Sequence, residues 1–358
     1  MTLKYCTKCV MPETRPRITF NEGGVCNACQ WHEIKKNKID WDERNKHLEI
    51  ICDKYRRNDG YWDCIVPASG GKDSTYIADK LLQLDMHPLT ISFAPQIPSG
   101  IDWRNWKNFV YTGFDNILIT PDSRQYRKYA KDWLIEAGLP RQPFVTGIST
   151  SIIRIAKEKN IDLIMFAENG EVEYGGQNES LERFSRDFLI NIYYEGQHNQ
   201  EKYGPFWKVP SKQDLDKIYV TWMSFFEDWE PEDHAKVAVH KYGLEMPVGG
   251  NIGTFTNYAQ IGDPGQDLHM YLCFLKNCFG RCSADVSIEI RRGRLLREEG
   301  FKIVGELDGI FPLEYLDLYL DYFEMEKNDF FEVLDSFANT EYLEQTGRKE
   351  RPWMLIEK

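Results

Sequence analysis

Ser69-Gly70-Gly71-Lys72-Asp73-Ser74-Thr75 follows the apolar run Cys64-Ile65-Val66 and leads into Tyr76-Ile77-Ala78, a strand-turn-helix pattern that suits a phosphate. Two adjacent glycines let the backbone take positive φ and turn successive N–H groups onto an anion, and a helix beginning near Asp73 adds its positive dipole end. Lys72 supplies a point charge. The turn is not a Walker A loop, because Val66 stands where that motif has its first glycine and Asp73 follows the lysine in place of Ser or Thr. A second chemical set is Cys6-Thr7-Lys8-Cys9 with Cys26-Asn27-Ala28-Cys29, two C-x2-C pairs separated by sixteen residues. Each pair sets two thiolates at the tip of a tight turn, and two turns close a tetrahedron around one Zn2+ with no open position, so Cys6, Cys9, Cys26 and Cys29 are expected to hold a structural metal. Glu168, Glu171 and Glu173 lie within six residues of Asn169 and Tyr174 in a third set. Carboxylates beside a triphosphate hold Mg2+, although a solvated turn has the same composition. The fourth is a basic stretch, Lys276, Arg281, Arg291, Arg292, Arg294 and Arg297, interrupted by Asp285. Arginine forks bind phosphate and carboxylate bidentately, and the alternative is a solvated helix face.

These residues need elements to position them. After the phosphate turn an amphipathic helix runs to Asp85, then Pro88–Phe93 and Asn116–Thr120 read as strands around a helical stretch from Asp102 to Phe109. Helices from Arg124 to Ala137 and from about Thr146 to Lys159 precede a buried strand, Asp162–Phe166. Strands alternating with helices imply an α/β fold with a doubly wound parallel sheet and right-handed crossovers. Loops leaving the carboxyl ends of neighbouring strands meet over the crevice, which brings the acidic loop to face the phosphate turn. A single helix from His32 to about Asp59 is expected to link the cysteine module to this sheet. The boundaries read as 1–58 for the module and linker, 59–245 for the nucleotide-binding domain and 246–358 for a helical substrate-binding region. Gln177 to about Tyr242 is rich in aromatics that stack on sugar rings or fill a core. The tail from Pro312 reads as two short helices packed on the body.

Composition bounds the function. With 358 residues, 44 basic and 56 acidic, the chain has net charge −12, which disfavours a broad nucleic-acid surface. No apolar run reaches a membrane span and no basic-then-apolar leader follows Met1, so a soluble cytoplasmic protein is expected. The nine cysteines accordingly read as ligands or free thiols, not disulfides.

Ser-Gly-Gly-x-Asp-Ser resembles the pyrophosphate-loop signature of the adenine nucleotide alpha-hydrolase type, whose members split ATP between its α- and β-phosphates. Together with the tetracysteine start, Gln142-Pro143-Phe144, the loop from Glu168 to Gly175, Gly253-Thr254-Phe255-Thr256-Asn257-Tyr258 and Asp267-Leu268-His269-Met270-Tyr271, the chain is similar over nearly its whole length to the N-acetyl sugar amidotransferases. The resemblance implies conversion of an acetamido group on a bacterial surface sugar, in lipopolysaccharide O-antigen or a flagellin nonulosonic acid, into an acetamidino group. ATP, Mg2+ and structural Zn2+ are the cofactors expected. Ser69, Gly70, Gly71, Lys72, Asp73, Ser74 and Thr75 are assigned to the nucleotide phosphates, Ile91 and Phe93 to adenine through their backbone, and Glu168 and Asn169 to the same cofactor site. Lys72, Asp73 and Glu171 are the catalytic candidates, with Asp73 and Glu168 or Glu171 toward Mg2+. Glu173, Tyr174, Lys276, Arg281, Asp285, Arg291 and Arg294 are assigned to the sugar. The chain departs from the family in Cys278 and Cys282, where glycine and alanine are usual, and in Ala284, where an aspartate is. Those cysteines keep a pyrophosphate-loop tRNA thiolase open as an alternative, and a non-catalytic nucleotide-binding regulator is the third reading. With no glutaminase domain visible, ammonia comes from solution or from a separate glutaminase subunit. The identity of the sugar and self-association into a homo-oligomer stay open.

Overall fold

The computed structural model describes residues 2–97, 99–176, 182–183 and 200–356. The cysteine pairs come first and flank a loop that ends at helix α1 (Asn27–Lys38), which is followed by α2 (Trp41–Tyr55). The single helix expected between His32 and about Asp59 is therefore two. Ile39 leaves the helical region, and the Asp40 side chain accepts the Glu43 N–H to start the second helix.

Strands β1 (Cys64–Pro67), β2 (Pro88–Phe93), β3 (Asp115–Ile119), β4 (Leu163–Phe166) and β5 (Tyr219–Trp222) form one parallel sheet in the order β3-β2-β1-β4-β5. This is the doubly wound α/β fold expected. The chain winds outward from β1 through β2 to β3, then returns to the other side of β1 as β4, so the order reverses between β1 and β4. Brief apolar strands suit such a sheet because helices cover both faces. On one face α5 (Ser123–Ala137) and α6 (Gln142–Lys159) bury Tyr126, Tyr129, Ile152, Ile153 and Ala156 against Ile65, Leu89, Ile91 and Ile164. On the other, α2 and α3 (Lys72–Gln83) bury Leu48, Ile51, Ile77 and Leu81 against Val66, Leu163 and Met165. Helix α4 (Gly100–Tyr111) opens on a reciprocal Ser99–Asp102 cap.

The last third is helical: α8 (Pro231–Tyr242) lies along α3, and α9 (Pro264–Asn277), α10 (Arg281–Arg291) and α11 (Arg297–Leu307) follow a glycine-rich loop, numbering here the longer helices after the short α7 (Gly170–Tyr174). Leu268, Leu272 and Phe274 of α9 pack with Tyr319, Phe323, Phe330 and Leu334 from two further helices, Leu316–Phe323 and Lys327–Asp335, and with Ala130 and Leu134 of α5. The two short helices of the tail appear as expected, followed by an antiparallel hairpin of Leu343–Gln345 with Trp353–Leu355 that the sequence did not suggest. Of the aromatic segment, residues 177–181 and 184–199 lie outside the described residues. Trp207, Trp222, Phe226 and Trp229 fill the core.

Candidate active site

The phosphate turn leaves the end of β1 at the point where strand order reverses, the position at which ligands bind in sheets of this kind. Gly70 takes φ +79°, and a Cβ there would come within 2.7 Å of Trp106 Cα, so only glycine lets the turn lie against α4. Helix α3 starts at Lys72 with Gly71 as its cap residue, and no side chain caps its first N–H groups. Gly71, Lys72, Asp73 and Ser74 all face a cavity of about 320 Å3. An uncapped helix start facing a cavity beside a lysine fits the phosphates of ATP.

Asp73 is bound at both oxygens. Lys72 Nζ reaches Oδ2, and His234 Nδ1 of α8 lies 3.1 Å from Oδ1. Burial alone would raise the Asp73 carboxyl, but Lys72 and His234 together hold it down at about 2. His234 is 3% exposed and lies between the rings of Tyr76 and Trp229, each with its centroid 4.0 Å away. Sequence reasoning missed it, since nothing local to Asp233-His234-Ala235 shows that α8 returns to the start of α3.

Opposite the turn, Glu168 stands two residues beyond the end of β4, and Tyr174 Oη lies 3.4 Å from Glu168 Oε1, both facing the cavity. Burial, and then the charge of Asp73, raise the Glu168 carboxyl. Arg281, the first residue of α10, closes the third side. Its Nη2 lies 2.8 Å from Asp285 Oδ1, and Asp285 Oδ2 accepts the Thr254 and Thr256 hydroxyls at 2.6 and 3.1 Å. The Arg281 Nε–H is buried with no partner among the described residues. Phe93, Trp106 and Phe144 form an aromatic wall, and Tyr258, Gln260, Asp263 and Arg141 complete the far end.

The structure brings together Ser69, Gly71, Lys72, Asp73, Ser74, Phe93, Glu168, Tyr174 and Arg281. Asp285 stands behind Arg281 and orients it. Gly70 shapes the turn from behind, and Thr75 is buried in α3. Asn169 caps α7 by accepting the Glu171 N–H. Other assignments need correction. The Ile91 carbonyl accepts the Ala68 N–H at 2.7 Å and its side chain is fully buried, so it offers little to adenine. Glu171 does not face the phosphate turn: α7 turns it away, and Arg17 holds it with Nε and Nη2 at 2.9 and 2.7 Å. Glu173 accepts Trp31 Nε1 at 3.0 Å and Lys35 Nζ at 2.6 Å. Lys276 donates to the carbonyls of Ala137 and Gly138, away from the cavity. Arg294 is held by Glu289 and Glu230. Arg291 donates to the Glu173 carbonyl at 3.2 Å, and the charges of Cys9, Cys26 and Cys29 favour its cationic form.

The four cysteines form a second centre. Their sulfurs lie within 4.8 Å of one another, with Cys6–Cys29 at 3.9 Å and Cys9–Cys26 at 3.7 Å. A tetrahedron of Zn–S bonds has S···S edges of about 3.8 Å, so the cluster has the dimensions of a structural zinc site. The N–H groups of Lys8, Cys9 and Cys26 point at Cys6 Sγ, and that of Cys29 at Cys26 Sγ, which favours thiolates. Cys278 takes φ +59° at the end of α9, the left-handed conformation for which glycine is the ordinary choice. Burial pushes its thiol up to about 12, and Cys273, Cys278 and Cys282 form no metal-binding group among the described residues.

Sheet order and site together define a doubly wound α/β protein with a phosphate turn at its switch point. Residues 252–358 match the family model described as "LPS biosynthesis protein WbpG-like, C-terminal domain". The last third of the chain is thus similar to the C-terminal domain of a WbpG-like lipopolysaccharide-biosynthesis protein, a likeness that agrees with the resemblance to the sugar amidotransferases. Among solved structures, a predicted subunit of tRNA methyltransferase from Methanocaldococcus jannaschii is 18% identical, covering 49% of this chain and 74% of its own at a TM-score of 0.29. NMN synthetase from Francisella tularensis is 9% identical, covering 60% and 100% at a TM-score of 0.30. Likenesses so distant add nothing to what the topology shows. No curated protein matches the chain. Among the described residues no helix is long and apolar enough to cross a membrane.

Proposed function

We propose that the chain is an ATP-dependent, AMP-forming amidotransferase that converts the acetamido group of a bacterial surface sugar, carried as a nucleotide-sugar or nonulosonic acid, into an acetamidino group. The observation that supports it is one cavity walled on one side by an uncapped helix start with Lys72 and on the other by Tyr258, Gln260 and Arg281. Those last three fall within the residues that match the lipopolysaccharide-biosynthesis domain. An amide carbon is too poor an electrophile for ammonia, and its oxygen is not a leaving group until activated. Attack of that oxygen on the α-phosphorus of ATP releases pyrophosphate and leaves an O-adenylyl imidate, from which ammonia displaces AMP. The protein's part is positioning and charge neutralisation. Ser69, Gly71, Lys72 and Ser74 take the phosphates, and Phe93 with Trp106 forms the apolar wall for adenine. Asp73, ionised at any working pH, and Glu168 are the ligands proposed for Mg2+. The unpartnered Arg281 Nε–H serves the anionic part of the sugar. Ammonia is supplied by a separate glutaminase subunit.

The test is incubation with ATP, Mg2+, ammonium and a panel of acetamido sugar nucleotides and sugar acids, followed by mass spectrometry. Sugar-dependent AMP and pyrophosphate together with the mass change of C=O to C=NH support the reading. ADP and phosphate, or AMP released with no modified sugar across the panel, would sink it.

A further inference from the structure

We propose that the tetracysteine module is the positioning element of the acidic loop, so that metal coordination at Cys6, Cys9, Cys26 and Cys29 fixes where Glu168 and Tyr174 stand in the cavity. The inference rests on the reading of that cavity as the active site, and it gives the zinc a task that a fold staple does not have.

The loop cannot hold itself. Helix α7 has five residues, far below the length at which a helix is stable alone. Its carboxylates Glu171 and Glu173 are only 10% and 13% exposed, and desolvated charges need partners. The module provides them. Arg17 forks onto Glu171, Trp31 and Lys35 converge on Glu173, and Asn27 Nδ2 donates to the Gly176 carbonyl at 2.7 Å. Lys35 is itself 5% exposed, so its charge is directed at the loop and not at water.

Each of those groups depends on the cysteine cluster for its place. Cys26 is the cap of α1, accepting the Cys29 N–H, so the helix that carries Asn27, Trp31 and Lys35 begins between two of the ligands. Arg17 lies on the segment between the cysteine pairs and takes φ +64°, a conformation that a non-glycine residue holds only under constraint. A tetrathiolate zinc site carries net negative charge, and the charges of Cys9, Cys26 and Cys29 act on the buried Arg291, which donates to the Glu173 carbonyl. The negative charge of the thiolates thus attracts the arginine, and the arginine in turn donates to the same loop. From Glu173 the next residue is Tyr174, whose hydroxyl meets Glu168.

The experiment uses the full chain, with hydrogen exchange of 167–176, zinc content, and KM and kcat measured together. Arg17→Ala and Lys35→Met leave all four cysteines in place. Both variants should keep the parent's zinc while exchange in 167–176 rises by about tenfold or more and kcat falls, with the KM for ATP within about threefold. When zinc is withdrawn from the parent by a chelator under reducing conditions, 167–176 and the module should lose protection before the central strands. Loop protection unchanged in both variants overturns the inference. So does a zinc-free protein that loses protection everywhere at once, because the metal would then be a general staple. Exchange is read without substrate, so a parent that makes no amidine removes the proposed reaction while the test of loop positioning stands.

Discussion

A carboxylate gripped on one oxygen by Lys72 and on the other by His234 acts as a fixed charge and a poor base, and Asp73 sits where a nucleotide's phosphates and their cation would meet. Asp73→Asn should lower ATP cleavage by roughly 10²-fold or more while the melting temperature changes little, since the side chain is 25% exposed and packs against few apolar groups. His234→Ala should be intermediate in activity and also less stable, because it empties the space between Tyr76 and Trp229. Steady-state rates and thermal melts on both variants separate the two effects. The arginines divide in the same way. Arg281→Ala removes a guanidinium whose Nε–H has no partner among the described residues, and leaves Asp285 bonded to two threonines, so it should weaken the sugar substrate by an amount equivalent to ~2–5 kcal/mol with ATP little affected. Arg294→Ala, a residue 36% exposed and tied to two glutamates, should cost less than about 1 kcal/mol in sugar binding. Equal effects of the two substitutions would show that the cavity is not the sugar site.

The elements that set these residues are short, and the turn between β1 and α3 has the least room to change. Gly70→Ala combines a positive φ with an approach of 2.7 Å to Trp106 Cα, so it should destabilise the protein by about 1–3 kcal/mol and abolish nucleotide binding, measured by melting and by calorimetric titration of ATP. This turn was legible in the sequence because its chemistry is local: glycines, a lysine and a helix start adjoin in seven residues. The cysteine pairs and strands β1 to β4 were legible for the same reason, each being a continuous apolar run or a fixed spacing. The unread parts are pairings over distance. Tyr219–Trp222 is four residues long and runs straight into a short helix, so its strand character comes from the edge of β4. Glu171 read as a metal ligand and Glu173 as a sugar contact, and one turn of helix pointed them at Arg17 and Lys35 instead. The basic stretch misled in a similar way, since five of its six cations, Lys276, Arg291, Arg292, Arg294 and Arg297, bond carbonyls or carboxylates of this chain away from the cavity, and only helix registry singles out Arg281.

On the scale of the whole molecule, α4 of the sheet region and α9 of the C-terminal helical region meet around three carboxyls. Asp102 of α4 and Asp267 of α9 are both raised from 3.8 to about 8, by burial first and then by Asp263. A carboxyl raised in the folded state binds its proton more tightly there than in the unfolded chain, so stability falls as pH rises from about 4 to about 8. Asp267→Asn should flatten that slope and leave the protein more stable than the parent at pH 9, a tenfold preference for the neutral form being worth about 1.4 kcal/mol. Denaturant unfolding across that range checks it, and an unchanged slope would refute it. One contact joins the extremes of the chain: Arg297 donates to the carbonyls of Cys9 and Cys6 at 3.0 and 2.8 Å, across separations of 288 and 291 residues. A ribosome makes the cysteine knuckle first and the arginine that braces it hundreds of residues later. During most of synthesis the knuckle can take up its metal but has no dock, and closing so long a loop is a late and slow event in folding. A nascent chain that already has its β1–α3 turn therefore lacks the wall of Tyr258, Gln260 and Arg281 until the final third emerges, so the cavity is completed only at the end of synthesis.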